Sequence, residues 1–142
     1  MSKLLESLHQ LLPSSRRIAT PFFLTADSVI HSLGTAKIPI PMQRIADFET
    51  ADWDDLELGQ IIFRDHWAFH SGHVFIHAPA CSRYSLPDFE CDSKRLSEFI
   101  RDYEVEMLFS CDVLFLAPES KTITVFHHEG AFGHAKLPAV IP

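Results

Sequence analysis

Nine histidines stand in this 142-residue chain, and four of them, His66, His70, His73 and His77, fall within twelve residues. Imidazoles set this closely can ligate a metal or move protons near neutral pH. On a helix the spacing would line up one face. The intervening Trp67, Phe69, Val74, Phe75 and Ile76, with Gly72 among them, argue for strands instead. On a strand, His73 and His77 share a face with Phe75, and a hairpin could bring His70 or His66 opposite them. His70, His73 and His77 are thus the metal-ligating alternative, and they would also serve a small histidine-dependent hydrolase. No HExxH or HxH accompanies them. The reading therefore prefers structural histidines and expects no metal and no cofactor. A second pair, His127-His128, precedes Glu129-Gly130. Neighbours on a strand point to opposite faces, so these two rings are expected to part, one toward the core and one toward solvent.

Other catalytic signatures are missing. The chain has no GxSxG, no P-loop and no GxGxxG, and its five glycines leave little for a phosphate cradle. A nucleophilic cysteine wants an electropositive neighbourhood, and only Cys81, near Arg83 and His77, has a hint of one. The expectation is that the protein is not an enzyme.

The most biased segment is IADFETADWDDLELG, residues 45–59. It carries Asp47, Glu49, Asp52, Asp54, Asp55 and Glu57 around Phe48 and Trp53, with no Lys or Arg. Carboxylates this dense repel one another unless something basic offsets them. The plainer interpretation is a solvated acidic loop or helix face. The functional one is a docking patch, in which the carboxylates steer a basic partner and Trp53 supplies apolar burial. The positions do not match a DxDxDG calcium loop.

Several elements must position these groups. Leu4, Leu5, Leu8, Leu11 and Leu12 make the stripe of an amphipathic helix over 3–12, with Ser2 as cap and Pro13 as terminator. A second helix is expected over 26–33, capped by Thr25 and closed by Gly34. Ile38-Pro39-Ile40-Pro41 lacks alternate N–H groups and reads as an extended connector or sheet edge. Strands are expected at 60–63, 67–70 and 73–78. A longer helix starts near Asp92 or Ser93, with Leu96, Phe99, Ile100, Tyr103 and Met107 on one face. Strands at 112–117, 122–128 and 131–136 follow, the first two joined by Pro118-Glu119-Ser120-Lys121. Without regular βαβ alternation, the order suggests one α+β domain over 1–142. Its mainly antiparallel sheet would carry two N-terminal helices and one longer central helix packed on it.

Nineteen acids against twelve Lys and Arg give a net charge of −7, which offers no footprint for nucleic acid or anionic lipid. Glu6, His9 and Gln10 interrupt the N-terminal leucines, and no apolar run approaches ~18 residues, so neither a secretory signal nor a membrane span is expected. Three cysteines without a CxxC fit a reducing cytoplasm.

A small acidic α+β chain with a Trp53-centred acidic run and the hairpin pattern DVLFLAPESKTITVFHHEG resembles the bacterial immunity proteins of polymorphic or contact-dependent toxin systems. The resemblance is one of type. It implies a cytoplasmic antidote that inhibits a cognate toxin, often a nuclease with a basic site. The expected function is protein-binding inhibition, with Asp47, Glu49, Asp52, Trp53, Asp54, Asp55 and Glu57 as the partner-binding residues. A regulatory or structural interaction module is a further alternative.

Overall fold

The computed structural model describes residues 3–20, 23–44, 70–78, 89–96 and 112–138. Two helices come first: α1 at Lys3–Leu11 and α2 at Ala26–Thr35. Between them Pro13–Arg17 makes a 3-10 turn. Leu4, Leu5 and Leu8 are buried on α1, as their spacing requires. The Pro13 turn is pinned by buried Ser15, whose hydroxyl donates to the Leu12 carbonyl at 2.6 Å.

Thr25 caps α2 with a reciprocal pair of bonds. Its side chain accepts from the Ser28 amide at 3.1 Å, and its own amide donates to the Ser28 hydroxyl at 2.9 Å. The far end departs from expectation. Gly34 does not close the helix; it lies inside the last turn, which runs to Thr35. The closing residue in the left-handed region is Lys37, with φ +60°. The Lys37 amide donates to Gly34 and the Ile38 amide to Leu33, the bond pattern of a Schellman motif. Ile38 then packs on the same core that buries Leu33. That apolar contact fixes the stop three residues later than the glycine suggests.

Among the described residues, six strands form one sheet: β1 Met42–Arg44, β2 His73–His77, β3 Phe89–Asp92, β4 Val113–Ala117, β5 Thr122–His127 and β6 Ala131–Lys136. Their order is β1-β6-β5-β4-β2-β3, and every neighbouring pair is antiparallel. The α+β class is thus observed, with two α-helices and a six-stranded antiparallel sheet among the described residues. Strands β2, β4, β5 and β6 fall where the alternation and turns place them. Residues 38–41 are the connector rather than the sheet edge, and the edge strand Met42–Arg44 begins just after them, where the sequence suggested none. This strand approaches β6 closely: a Cβ on Gly133 would lie 2.6 Å from the Met42 sulfur and 2.9 Å from an Ile40 side-chain carbon. The glycine at 133 therefore makes room for the edge strand.

The opposite edge, β3, falls where the sequence suggested no strand. Asp92 does not open a long α-helix within the described residues. It ends β3, and its side chain accepts from the Lys94 amide to cap a short 3-10 turn, Ser93–Arg95. Phe99, Ile100, Tyr103 and Met107 lie outside the described residues, as do the expected strands at 60–63 and over most of 67–70.

Register decides the two faces. Phe75 pairs with Leu116, Leu116 with Ile123 and Ile123 with Ala135, and all four belong to the core beneath α1 and α2. The alternate residues, Val74, Ile76, Phe115, Phe126 and Phe132, point the other way and are also buried. Both faces are therefore dry, which is why β4 reads as an unbroken apolar run rather than an alternating one.

Candidate functional site

The acidic segment Asp47, Glu49, Asp52, Trp53, Asp54, Asp55 and Glu57 lies outside the described residues, as do His66, Cys81 and Cys111. The histidines from His70 onward are described, and the sheet separates them. His73 and His77 share the helix-covered face with Phe75, as expected from strand alternation. His73 is exposed, pairs with Glu90 at 3.1 Å and meets Phe75 edge-on at 4.8 Å between centroids. His77 is buried. His70 precedes the strand rather than pairing within a hairpin, and it sits on the other face. Gly72, at φ +74°, turns the chain there, where any Cβ would collide with the Glu119 carboxylate. The three candidate ligands His70, His73 and His77 therefore do not converge.

His70 is instead the centre of a buried polar chain. Thr122 and Thr124 flank Ile123 on β5, so their hydroxyls face away from the helix-side core. The His70 ring spans them, with Nδ1 2.6 Å from Thr122 Oγ1 and Nε2 2.7 Å from Thr124 Oγ1. Thr122 continues to the Ser120 hydroxyl and Thr124 to His134 Nδ1, each at 2.7 Å. A neutral imidazole offers one donor and one acceptor, which matches two hydroxyls. Burial, seconded by the nearby charge of His134, pushes the His70 pKa down to about 3. This is a filled polar seam within a dry face. It keeps β5 threonines satisfied where apolar residues would otherwise be needed.

The second cluster gathers where β4 begins, β5 ends and α2 starts. Val113 pairs with Phe126, so Asp112 and His127 lie across from each other at the end of the ladder. One Asp112 oxygen accepts the Ala26 amide at 2.9 Å, in the first turn of α2. The other accepts the His128 amide at 3.0 Å and the His128 Nδ1–H at 2.9 Å. His128 lies one residue beyond β5, in the turn closed by the Gly130 amide on the His127 carbonyl. Its ring folds back and stacks on His127 at 4.2 Å. One ring is enclosed and the other faces solvent, as expected, but they stack instead of parting. Alternation holds only within the ladder, and the turn rotates His128 back toward Asp112.

His127 is orientated from both sides. Its Nδ1 accepts the Glu129 amide at 3.1 Å, which leaves the ring proton on Nε2, 3.3 Å from an Asp27 oxygen. Burial works to raise the Asp112 pKa. The bonds from the His128 ring, the Ala26 amide and the His128 amide outweigh it and hold the carboxyl below its usual range. In return the hydrogen bond to Asp112 raises the pKa of His128 against a small burial penalty, helped by the charges of Asp112, Glu129 and Asp27. Asp112 and His127 are largely enclosed, at 15% and 14% side-chain exposure, whereas His128 is half exposed at 51%. The corner thus presents a fixed carboxylate and two imidazoles at the surface. It can relay protons or ligate a cation. Asp112 and Asp27 were not singled out from the sequence; the signal available was an aspartate immediately before a strand that pairs with the histidine-ended one.

Cys91 is a half-buried free thiol on β3. Burial and the Asp92 charge raise its pKa against the opposing pull of Arg95, which disfavours a reactive thiolate. Among the described residues no helix is long and apolar enough to cross a membrane. Comparison of the chain with protein-family models, with curated proteins and with solved structures finds no match.

Proposed function

We propose that the protein is a non-enzymatic binding protein that inhibits a basic partner, as an immunity protein inhibits its toxin in the cytoplasm. One observation carries this reading: six carboxylates surround Trp53 within residues 45–59, with no Lys or Arg among them. In this reading the carboxylates take the place of a phosphate backbone in a nuclease-like basic site, and Trp53 fills an apolar pocket beside it. The separation of His70, His73 and His77 supports binding over histidine chemistry, because a hydrolase built on those three would need them together. The longer central helix belongs to the same reading. Leu96 supports it, with helical backbone angles of φ −63° and ψ −36° and only 3% exposure.

The test is binding kinetics against the partner recovered from the native cell. Replacing Asp52, Asp54 and Asp55 together by Asn should slow association and flatten its salt dependence, since long-range attraction sets the encounter rate. Trp53→Ala should speed dissociation, costing about 2 kcal/mol or more. Unchanged rates for both variants, with the fold intact, would move the interface away from residues 45–59.

A further inference from the structure

We propose that Asp112, His127 and His128 form a binding site for a single divalent transition-metal ion of the zinc class. The site goes beyond the docking reading and does not depend on it. One Asp112 oxygen and one nitrogen from each imidazole lie within 4.8 Å of one another. The donors come from two different strand ends, so the fold and not mere sequence adjacency brings them together. Tetrahedral zinc, with bonds of about 2.0–2.1 Å, sets neighbouring donor atoms roughly 3.3–3.4 Å apart. The His128 Nδ1 to Asp112 distance is 2.9 Å. It must open by only about 0.4–0.5 Å to hold zinc between the two atoms.

The chemistry balances simply. A neutral His128 passes its Nδ1 proton through solvent to Nε2, an imidazolium simply releases it, and the cation takes that proton's place against the Asp112 carboxylate. His127 contributes one ring nitrogen and lets go of the Glu129 amide, an exposed N–H that water can satisfy. The remaining Asp112 oxygen keeps the Ala26 amide, which would orient the carboxylate as outer partners of metal ligands do. Asp27, 3.3 Å from His127 Nε2, can accept that ring's remaining N–H and so orient it, and water fills the fourth position. The positive end of α2 opposes a cation here, but its Ala26 amide is already engaged, and Asp27, Asp112 and Glu129 all act on His128 as negative charges. Two imidazoles and a carboxylate select zinc, cobalt, nickel or copper over the oxygen-seeking magnesium and calcium.

The experiment is calorimetric titration of untagged, metal-free protein with Zn²⁺, followed by Co²⁺ and the perturbation it causes in the amide NMR spectrum. The expected result is a single site of micromolar affinity or tighter, with Co²⁺ broadening centred on Ala26, Asp112, His127 and His128. Mg²⁺ and Ca²⁺ should not compete. His127→Ala and His128→Ala should each weaken Zn²⁺ binding at least tenfold, while His73→Ala leaves it unchanged. His128 is exposed enough that its variant should fold, which the same NMR spectrum checks. Absence of binding, or binding that survives both His127→Ala and His128→Ala, would overturn the proposal. Loss in His73→Ala would do so as well, by placing the cation elsewhere.

Discussion

His70 should make the protein measurably less stable in mild acid, and by an amount the structure fixes. Its imidazole is 4% exposed and held between Thr122 and Thr124, with a pKa pushed down to about 3. In the unfolded chain the same ring titrates at 6.5. Between these values the unfolded state binds a proton that the native state refuses, so stability must fall as pH falls. Well above pH 6.5 neither state is charged and nothing is lost. At pH 5 the native ring is still neutral, so the loss depends on the unfolded value alone. The linkage relation gives about 2 kcal/mol lost between pH 7 and pH 5.

The other shifted groups are common to the wild type and to a variant at His70, so they cancel when the two proteins are compared. Asp112, held below its usual 3.8, contributes stability that is present above that value and lost only in stronger acid. His128, raised above 6.5, contributes stability that is complete below 6.5 and fades as pH rises through its native value. The assay is urea unfolding at pH 7 and pH 5 for the wild type and for His70→Gln, whose amide can still offer a donor and an acceptor to the two threonines. The variant starts less stable but should lose about 2 kcal/mol less than wild type over that interval. Nitrogen NMR of the wild-type ring should show one protonated and one bare nitrogen at pH 5. Identical pH losses in both proteins, or a doubly protonated His70 at pH 5, would refute the reasoning.

Two further changes test the frame that holds the sites. Lys37 occupies a left-handed backbone position at roughly 1–2 kcal/mol, and glycine there forfeits about half of that gain through its freer unfolded state. Lys37→Gly should therefore stabilise the protein by about 0.5–1 kcal/mol in urea unfolding, and a loss would mean the closing turn is not as described. Phe115 is fully buried and meets Phe126 edge-on at 4.8 Å, on the face that α1 and α2 do not cover. Phe115→Ala should cost about 3–5 kcal/mol, and a loss under about 1 kcal/mol would show that face to be wet.

The elements legible in the sequence were those whose own residues carry the pattern. The leucines of α1, the Thr25 cap and the central strands β2, β4, β5 and β6 bury side chains that declare themselves by spacing or by an apolar run. The edges were harder. β1 has three residues and β3 four, with exposed or half-exposed side chains including Glu90 and Asp92. Such strands exist because a neighbour offers hydrogen bonds, not because their composition demands burial, and charged residues suit an edge that must not recruit another chain. The helix stop was misplaced for a similar reason. Gly34 can close a helix, but Leu33 and Ile38 decide the point by packing together, and Lys37 accepts the backbone strain that follows.

The histidines show why spacing alone misled about chemistry. His70 and His73 are three residues apart, yet a turn at Gly72 sends one through the sheet to the threonines and leaves the other at the surface with Glu90. His127 and His128 are adjacent and would diverge inside a strand, yet the ladder ends between them and their rings stack. In both cases the deciding fact is where pairing stops. The residue that completes the second cluster, Asp112, is fifteen positions away from His127 in sequence and directly across from it in register, because Val113 pairs with Phe126. A hairpin register therefore carries more information about the site than the density of histidines does. Turn length fixes that register: the four residues from Pro118 to Lys121 set β4 against β5, with Lys121 taking φ +57°. A one-residue slip would move Asp112 off His127 and turn Thr122 and Thr124 toward the apolar helix-side core, leaving His70 without its hydroxyls. The polar seam on one face and the histidine corner at the end of the same hairpin thus enforce the same alignment, so each makes the other's geometry more exact.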